Sequence, residues 1–271
     1  MFISLPYAEL YAYTGGKAFA PERPTVVFIH GALNDHSVWI LQSRYFANHG
    51  YNVLAIDLPG HCRSTGDAPE TVAQAAHTVL ALLDALGVQK AAIAGHSLGS
   101  LIALEVAARW PQRVSRLALL GTAYPMRVSA SLLDAAQNAP FKGIEMVNTF
   151  SHSMLAPPPS TLGPGTWLLG TGRALMRRVL ASNAKVNVFH RSFNACDAYE
   201  GGEQAMAAVQ CPTLFVLGDK DQMTPPSSAQ SLVAQARQGT VCRVPAGHSL
   251  MEEAPDQVLD ALRAFLPRAA C

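Results

Sequence analysis

Six short runs organise the chain: TVVFIH (25–30), NVLAID (52–57), KAAIAG (90–95), VSRLALLG (114–121), PTLFVLG (212–218) and GTVCRV (239–244). Most are apolar almost throughout, which is how a strand reads when both of its faces are covered. Helical patterns at about 36–49, 71–86, 97–109, 226–237 and 255–266 fall between and after them. Such alternation predicts an α/β architecture, an open and mostly parallel sheet with helices on both faces. FISL and AELYAYTG, at the N-terminal end, read as two more strands that form an antiparallel edge. The sheet is then eight-stranded.

The rhythm breaks once. From Tyr124 to about Met206 no strand signal occurs, while PMRVSASLLDAAQ, FKGIEMVNTF, GTGRALMRRVLAS and NVFHRSFNACDAY all look helical. Between them LAPPPSTLGPG (155–165) must be extended or turned, because each proline removes a donor and restricts its predecessor. The spacing therefore predicts a core at 1–123 and 207–271, with a helical lid at 124–206 inserted after the sixth strand.

Composition excludes several classes. Twenty Lys+Arg against nineteen Asp+Glu leave a net charge of +1, too little to draw nucleic acid or an anionic membrane. No run of about 18 apolar residues is present, so no membrane span is expected. The N-terminal residues lack the basic and apolar regions of a signal peptide. Five scattered cysteines (Cys62, Cys196, Cys211, Cys242 and Cys271) without a CxxC read as reduced thiols, and a cytoplasmic location is expected.

Chemistry enters at Gly95-His96-Ser97-Leu98-Gly99, which matches G-x-S-x-G where a strand meets a helix. A very tight turn strains the serine, and its neighbours must be small to clear the turning backbone. The hydroxyl then stands clear of the sheet at the edge where open α/β folds bind ligands. The Leu98 amide, opening the helix, points at whatever Ser97 attacks. The plain alternative is a glycine-flanked serine that caps a helix. A serine hydroxyl needs a base, and His248 follows the last strand in a loop over the same sheet edge. VLGDKDQMTPP offers Asp219 and Asp221 to orient that imidazole.

HGALNDHSVW (30–39), DLPGHCRS (57–64), GHSLG (95–99), GDKDQMTP (218–225) and AGHSLMEEAP (246–255) together resemble the α/β-hydrolase superfamily over nearly the whole chain. The resemblance implies the α/β-hydrolase fold and selects Asp221 over Asp219, giving a catalytic set of Ser97, Asp221 and His248. It maps a second oxyanion-hole amide to Ala32, beside Leu98, and gives His30 a loop-fixing role. Two positions depart from the family pattern. Cys62 replaces a frequent glycine, so its loop should avoid positive φ or tolerate strain. Ser100 stands where a second glycine often follows.

A serine at the elbow implies an acyl-enzyme formed at a carbonyl. The expected function is hydrolysis of small to medium, mainly apolar carboxylic esters, with no cofactor, no metal and a small-molecule substrate as the partner. Cleavage of a carbon–carbon bond in a vinylogous diketo acid and thioester hydrolysis use the same set. A non-catalytic receptor on this fold would show a lost catalytic residue or a bulky elbow, and neither is present. Phe150, Met154, Leu155 and Trp167 are candidate pocket residues. A diketo acid would need a buried cation, for which Arg173, Arg177, Arg178 and Arg191 are candidates; an apolar pocket is expected instead. SNAK (182–185), GTGRAL (170–175) and the pair His30/His36 read as chance matches to a penicillin-recognition motif, a dinucleotide loop and a metal site.

Overall fold

A computed structural model describes residues 1–155 and 166–266. The proline-rich stretch at 156–165 and Cys271 lie outside them. Eight strands form one sheet in the order β1-β2-β4-β3-β5-β6-β7-β8. They are β1 (Phe2–Leu5), β2 (Ala8–Tyr13), β3 (Thr25–Ile29), β4 (Asn52–Ile56), β5 (Ala91–His96), β6 (Val114–Leu120), β7 (Thr213–Gly218) and β8 (Gly239–Val244). Only the β1–β2 and β2–β4 pairings are antiparallel. The expected N-terminal edge is thus present, and six strands run parallel.

Strands β3, β4, β5 and β7 are buried at every residue. Alternate side chains feed two cores. Val27 and Ile29 face α2 (Val72–Ala85) and α3 (Leu98–Arg109), whereas Val26 and Phe28 face α1 (Ile40–Asn48) and, at the C-terminal end, α11 (Pro255–Phe265). Thr71 caps α2 by accepting from the Gln74 amide at 3.1 Å, one of the donors that a helix start leaves free.

Between β6 and β7 the chain runs through α4 (Ala130–Asn138), α5 (Pro140–Ser151), α6 (Leu168–Ala181), α7 (Val188–Asp197) and α8 (Gly202–Ala208). No strand occurs there among the described residues. Ile144, Val147, Met176, Val179, Phe189 and Phe193 from these helices build a third apolar core with Leu33 and Ala68 of the sheet-edge loops. Met206 of α8 instead joins the core under α3. Two short helices complete the chain, α9 (Gln230–Gln235) before β8 and α10 (Leu250–Glu253) after it. No helix among the described residues is long and apolar enough to cross a membrane.

Cys62 takes φ 45°. Of the two options the sequence left open, the loop takes strain. Its amide donates to Ser182 Oγ at 2.9 Å and its thiol to Asp35 Oδ2 at 3.4 Å, so both polar groups are used in that conformation.

Candidate active site

β5 ends at His96 and α3 begins at Leu98, leaving Ser97 alone at the junction with φ 53° and ψ −120°. A non-glycine residue there carries about 1–3 kcal/mol of strain, which the surrounding structure must hold in place. The turn closes because its flanks lack side chains. A Cβ added to Gly95 would overlap the Gly99 carbonyl, and one on Gly99 would overlap the Ile29 carbonyl of the adjacent strand. The Ser97 amide donates to Leu120 O at 2.9 Å, tying the elbow to β6. Ser97 is the one elbow residue that is not fully buried. The amides of Leu98 and Ala32 take no acceptor among the described residues. Ala32 follows Gly31, whose Cβ position would lie 3.1 Å from Ser97 Cβ.

Asp221 follows β7 and His248 follows β8, both buried. His248 Nδ1 lies 2.8 Å from Asp221 Oδ2. The other carboxylate oxygen accepts from the Met223 and Thr224 amides at 2.9 and 2.8 Å. Burial pushes the Asp221 carboxyl up, but the His248 imidazole and the Thr224 amide and hydroxyl outweigh it and hold the group below its ordinary value. Thr224 Oγ1 sits 2.8 Å from Asp221 Oδ2, 3.0 Å from His248 Nδ1 and 3.0 Å from Gly121 O. Asp219 is exposed and pairs with Arg243 at 2.6 Å.

His96 Nε2 donates to the His248 carbonyl at 2.9 Å, fixing the histidine loop against the elbow. Burial and the neighbouring imidazole push His96 down to about 3. His30 bridges two loops. Its Nε2 accepts from the Leu58 amide at 3.1 Å while Nδ1 donates to Gly31 O at 2.8 Å.

Ser97 and His248 line two adjoining cavities. The first holds about 300 Å³ and takes most of its wall from the segment between β6 and β7, including Met126, Val128, Val147, Phe150 and Phe193. The second holds about 40 Å³ and includes Ser151, His152, Ser249 and Glu252. An apolar pocket whose only polar groups are Ser97, Asp221, His248 and the Ala32 and Leu98 amides is thus not what forms: Arg127, Ser129 and Gln222 also line the first space, and Asn34, Ser151, His152, Ser249 and Glu252 the second.

Of the four candidate pocket residues, Phe150 lines the first cavity and Met154, Leu155 and Trp167 line neither. Leu155 is 70% exposed and Trp167 50% exposed, with Arg173 lying over the Trp167 ring at 5.4 Å. Met154, Leu155 and Trp167 lie between α5 and α6, where no helical period fixes the direction of a side chain. The four candidate arginines pair away from Ser97. Arg173 and Arg177 meet Glu145, Arg178 meets Asp35 and Arg191 meets Glu70.

Two further residues shape the site. Thr224 could have been suspected from its place three residues after Asp221. Glu253 carries no such signal; it is buried and accepts from the Ser153 amide and hydroxyl and from the Gly247 amide at 2.5–2.6 Å. Asp35, His36 and Asp57 cluster closely enough to hold a metal ion. Their atoms are already committed: Asp57 Oδ1 accepts from the His36 amide and lies 2.8 Å from its Nδ1, and Asp35 takes Ser37, Cys62 and Arg178.

The model of the alpha/beta hydrolase family matches residues 26–261, and the chain belongs to that family. The dihydrolipoyllysine-residue acetyltransferase component of the acetoin cleaving system from Pseudomonas putida is 31% identical over 263 residues, covering 93% of this chain. The chain spans 65% of that relative's length. The (E)-2-((N-methylformamido)methylene)succinate hydrolase of Acinetobacter baylyi is 26% identical over 255 residues, covering 90% of this chain and 91% of that protein. The enol-lactonase from Burkholderia xenovorans LB400 superposes with a TM-score of 0.83 at 21% identity over 98% of this chain and 99% of that one, a likeness of fold.

Proposed function

We propose that the protein hydrolyses small to medium, mainly apolar carboxylic esters through an acyl-enzyme on Ser97. His248 takes the Ser97 proton as Oγ attacks the carbonyl and returns it to the departing alcohol. Asp221 keeps Nδ1 protonated, so that Nε2 is the base. The Ala32 and Leu98 amides receive the oxyanion, each donor worth about 10²–10³ in kcat. Water then attacks the acyl group with His248 again as base. Segment 124–206 serves as the lid that walls the acyl side.

One observation carries this reading: the strained Ser97 opens onto the same cavity as His248, whose Nδ1 already meets a buried carboxylate. Arg173, Arg177, Arg178 and Arg191 pair with carboxylates of the chain itself, whereas Arg127 lines the cavity at Ser97 and donates to Asp197 O at 2.7 Å, so a diketo acid stays in the comparison as the second reading. The test is a screen of p-nitrophenyl esters of rising chain length beside an acyl thioester and a diketo acid. Ser97→Ala should lower kcat about 10⁴-fold or more with an unchanged unfolding midpoint. A variant that keeps over a tenth of the wild-type rate would overturn the assignment.

A further inference from the structure

Ser97 stands at the meeting of two unlike spaces. Both cavities share Ala32, Ser97, Val147, Phe193, Met223 and His248, so they adjoin at the serine. The larger is walled mainly by apolar side chains. The smaller, at about 40 Å³, has room for about three waters when one needs about 10–15 Å³ of such space. Asn34, Ser151, His152, Ser249 and Glu252 face it. His152 Nδ1 donates to Asn148 O at 2.8 Å, and its Nε2 lies 3.4 Å from Glu252 Oε2, which orders the polar wall.

We infer that this polar neck is the leaving-group subsite, and that the substrates are esters of small alcohols carrying a second hydrogen-bonding group. The inference rests on the ester hydrolysis proposed above. In the acylation step the Ser97 Oγ–carbon bond forms and the bond from that carbon to the alcohol oxygen breaks. The alcohol oxygen keeps the electron pair and takes from His248 the proton that Ser97 gave up. The acyl half stays covalently bound until water arrives, so it gains from apolar burial in the larger cavity. The alcohol half gathers negative charge, becomes a hydroxyl and must reach water, all of which a polar passage favours.

The neck has a boundary. Leu175 and Glu252 line it and also line a third cavity of about 530 Å³, walled by Val38, Ile40 and Arg178 among others. Leu175 is half-buried on α6 and therefore separates the leaving-group space from that outer groove. An alcohol of two or three heavy atoms beyond the ester oxygen fits inside; a bulkier one meets Leu175.

The test compares two ester series, each rate divided by that ester's rate of hydroxide hydrolysis. Hexanoate esters of methanol, propanol, ethylene glycol and benzyl alcohol vary the leaving group, and methyl esters from acetate to hexanoate vary the acyl group. In the wild type, kcat/KM should fall about tenfold or more from methyl to benzyl. The 2-hydroxyethyl ester should outrun its propyl isostere, and the acyl series should rise or stay level. Leu175→Ala should raise the benzyl-to-methyl ratio about tenfold and leave the acyl profile unchanged. That ratio does not depend on the folded fraction, and the wild-type series decides the matter even if the variant fails to fold. A flat alcohol series, a propyl ester as fast as the hydroxyethyl ester, or an unmoved ratio in Leu175→Ala overturns the inference while leaving ester hydrolysis standing. Turnover of no ester in either series overturns both.

Discussion

The two sides of the cavity are held by different means. On the sheet side, Ser97, Asp221 and His248 follow the parallel strands β5, β7 and β8, and hydrogen bonds from the Met223 and Thr224 amides and from His96 fix Asp221 and the His248 loop. On the helical side, an apolar core shared with Leu33 and Ala68 of the sheet-edge loops holds the helices, and polar tethers add to it at both ends. At one end Arg178 meets Asp35 at 2.6 Å, Ser182 Oγ accepts from the Cys62 amide and Asn183 donates to Gly60 O at 3.1 Å. At the other, the Ser249 amide donates to Ser151 O at 3.0 Å and Ser153 bonds to Glu253. The sheet side is thus tied by hydrogen bonds around Asp221 and His248, and the helical side by apolar packing with polar ties at two ends.

The largest expected effect tests the frame. Asp221→Asn should cut kcat about 10⁴-fold, because asparagine no longer favours the imidazole tautomer with Nδ1 protonated. Asp219→Asn, two residues away and exposed, should change kcat less than about twofold. Steady-state kinetics on one ester checks both, and a reversal of the two would move the acid to Asp219.

Next come the tethers. Glu253→Ala leaves the Ser153 and Gly247 donors without their acceptor, and should cost about 3 kcal/mol in urea unfolding. A loss below about 1 kcal/mol would mean that the helical side is held by apolar packing alone. Asp35 gives a pH signature. Burial pushes its carboxyl up, but Ser37 and Arg178 outweigh that and bring it from 3.8 to about 2. A depressed folded value stabilises above the unfolded one and loses that stabilisation as pH falls through the folded one. The protein should therefore lose about 2 kcal/mol between about pH 4 and pH 2 from this group. Asp35→Asn should flatten that part of the acid limb, measured as unfolding free energy against pH; an unchanged slope would remove Asp35 from the account.

The smallest effect falls within the frame. Thr224→Val removes the hydroxyl set between Asp221, His248 and the Gly121 carbonyl, and should lower kcat about tenfold with little change in KM. A rise in KM alone would place Thr224 in substrate binding instead.

These two regions also differ in how far they could be read from sequence. Residues 25–30 were legible as a strand because burial on both faces leaves an apolar run, and β3 spans Thr25–Ile29. Ser97 was legible because a tight strand-to-helix turn demands glycines at fixed positions. Trp167 and Leu155 were not. Their apolar character fits a pocket wall and an outer surface equally well, and only the way α5 and α6 pack decides between them. Glu253 was hidden for a similar reason: a carboxylate at that position has no spacing that announces the three donors around it. The polar neck is assembled from α5, α6, α7, α10, the end of β5 and the loops after β3, β7 and β8, so no local pattern encodes it.

The elbow's glycines also bear on how such a chain can change over time. At position 97 the side chain borders the larger cavity. Positions 95 and 99 are closed to every residue with a Cβ, because the overlap is with backbone carbonyls that cannot swing aside. The two codons that frame position 97 are therefore held to glycine by their surroundings. A library built on this scaffold would waste every clone that varies Gly95 or Gly99.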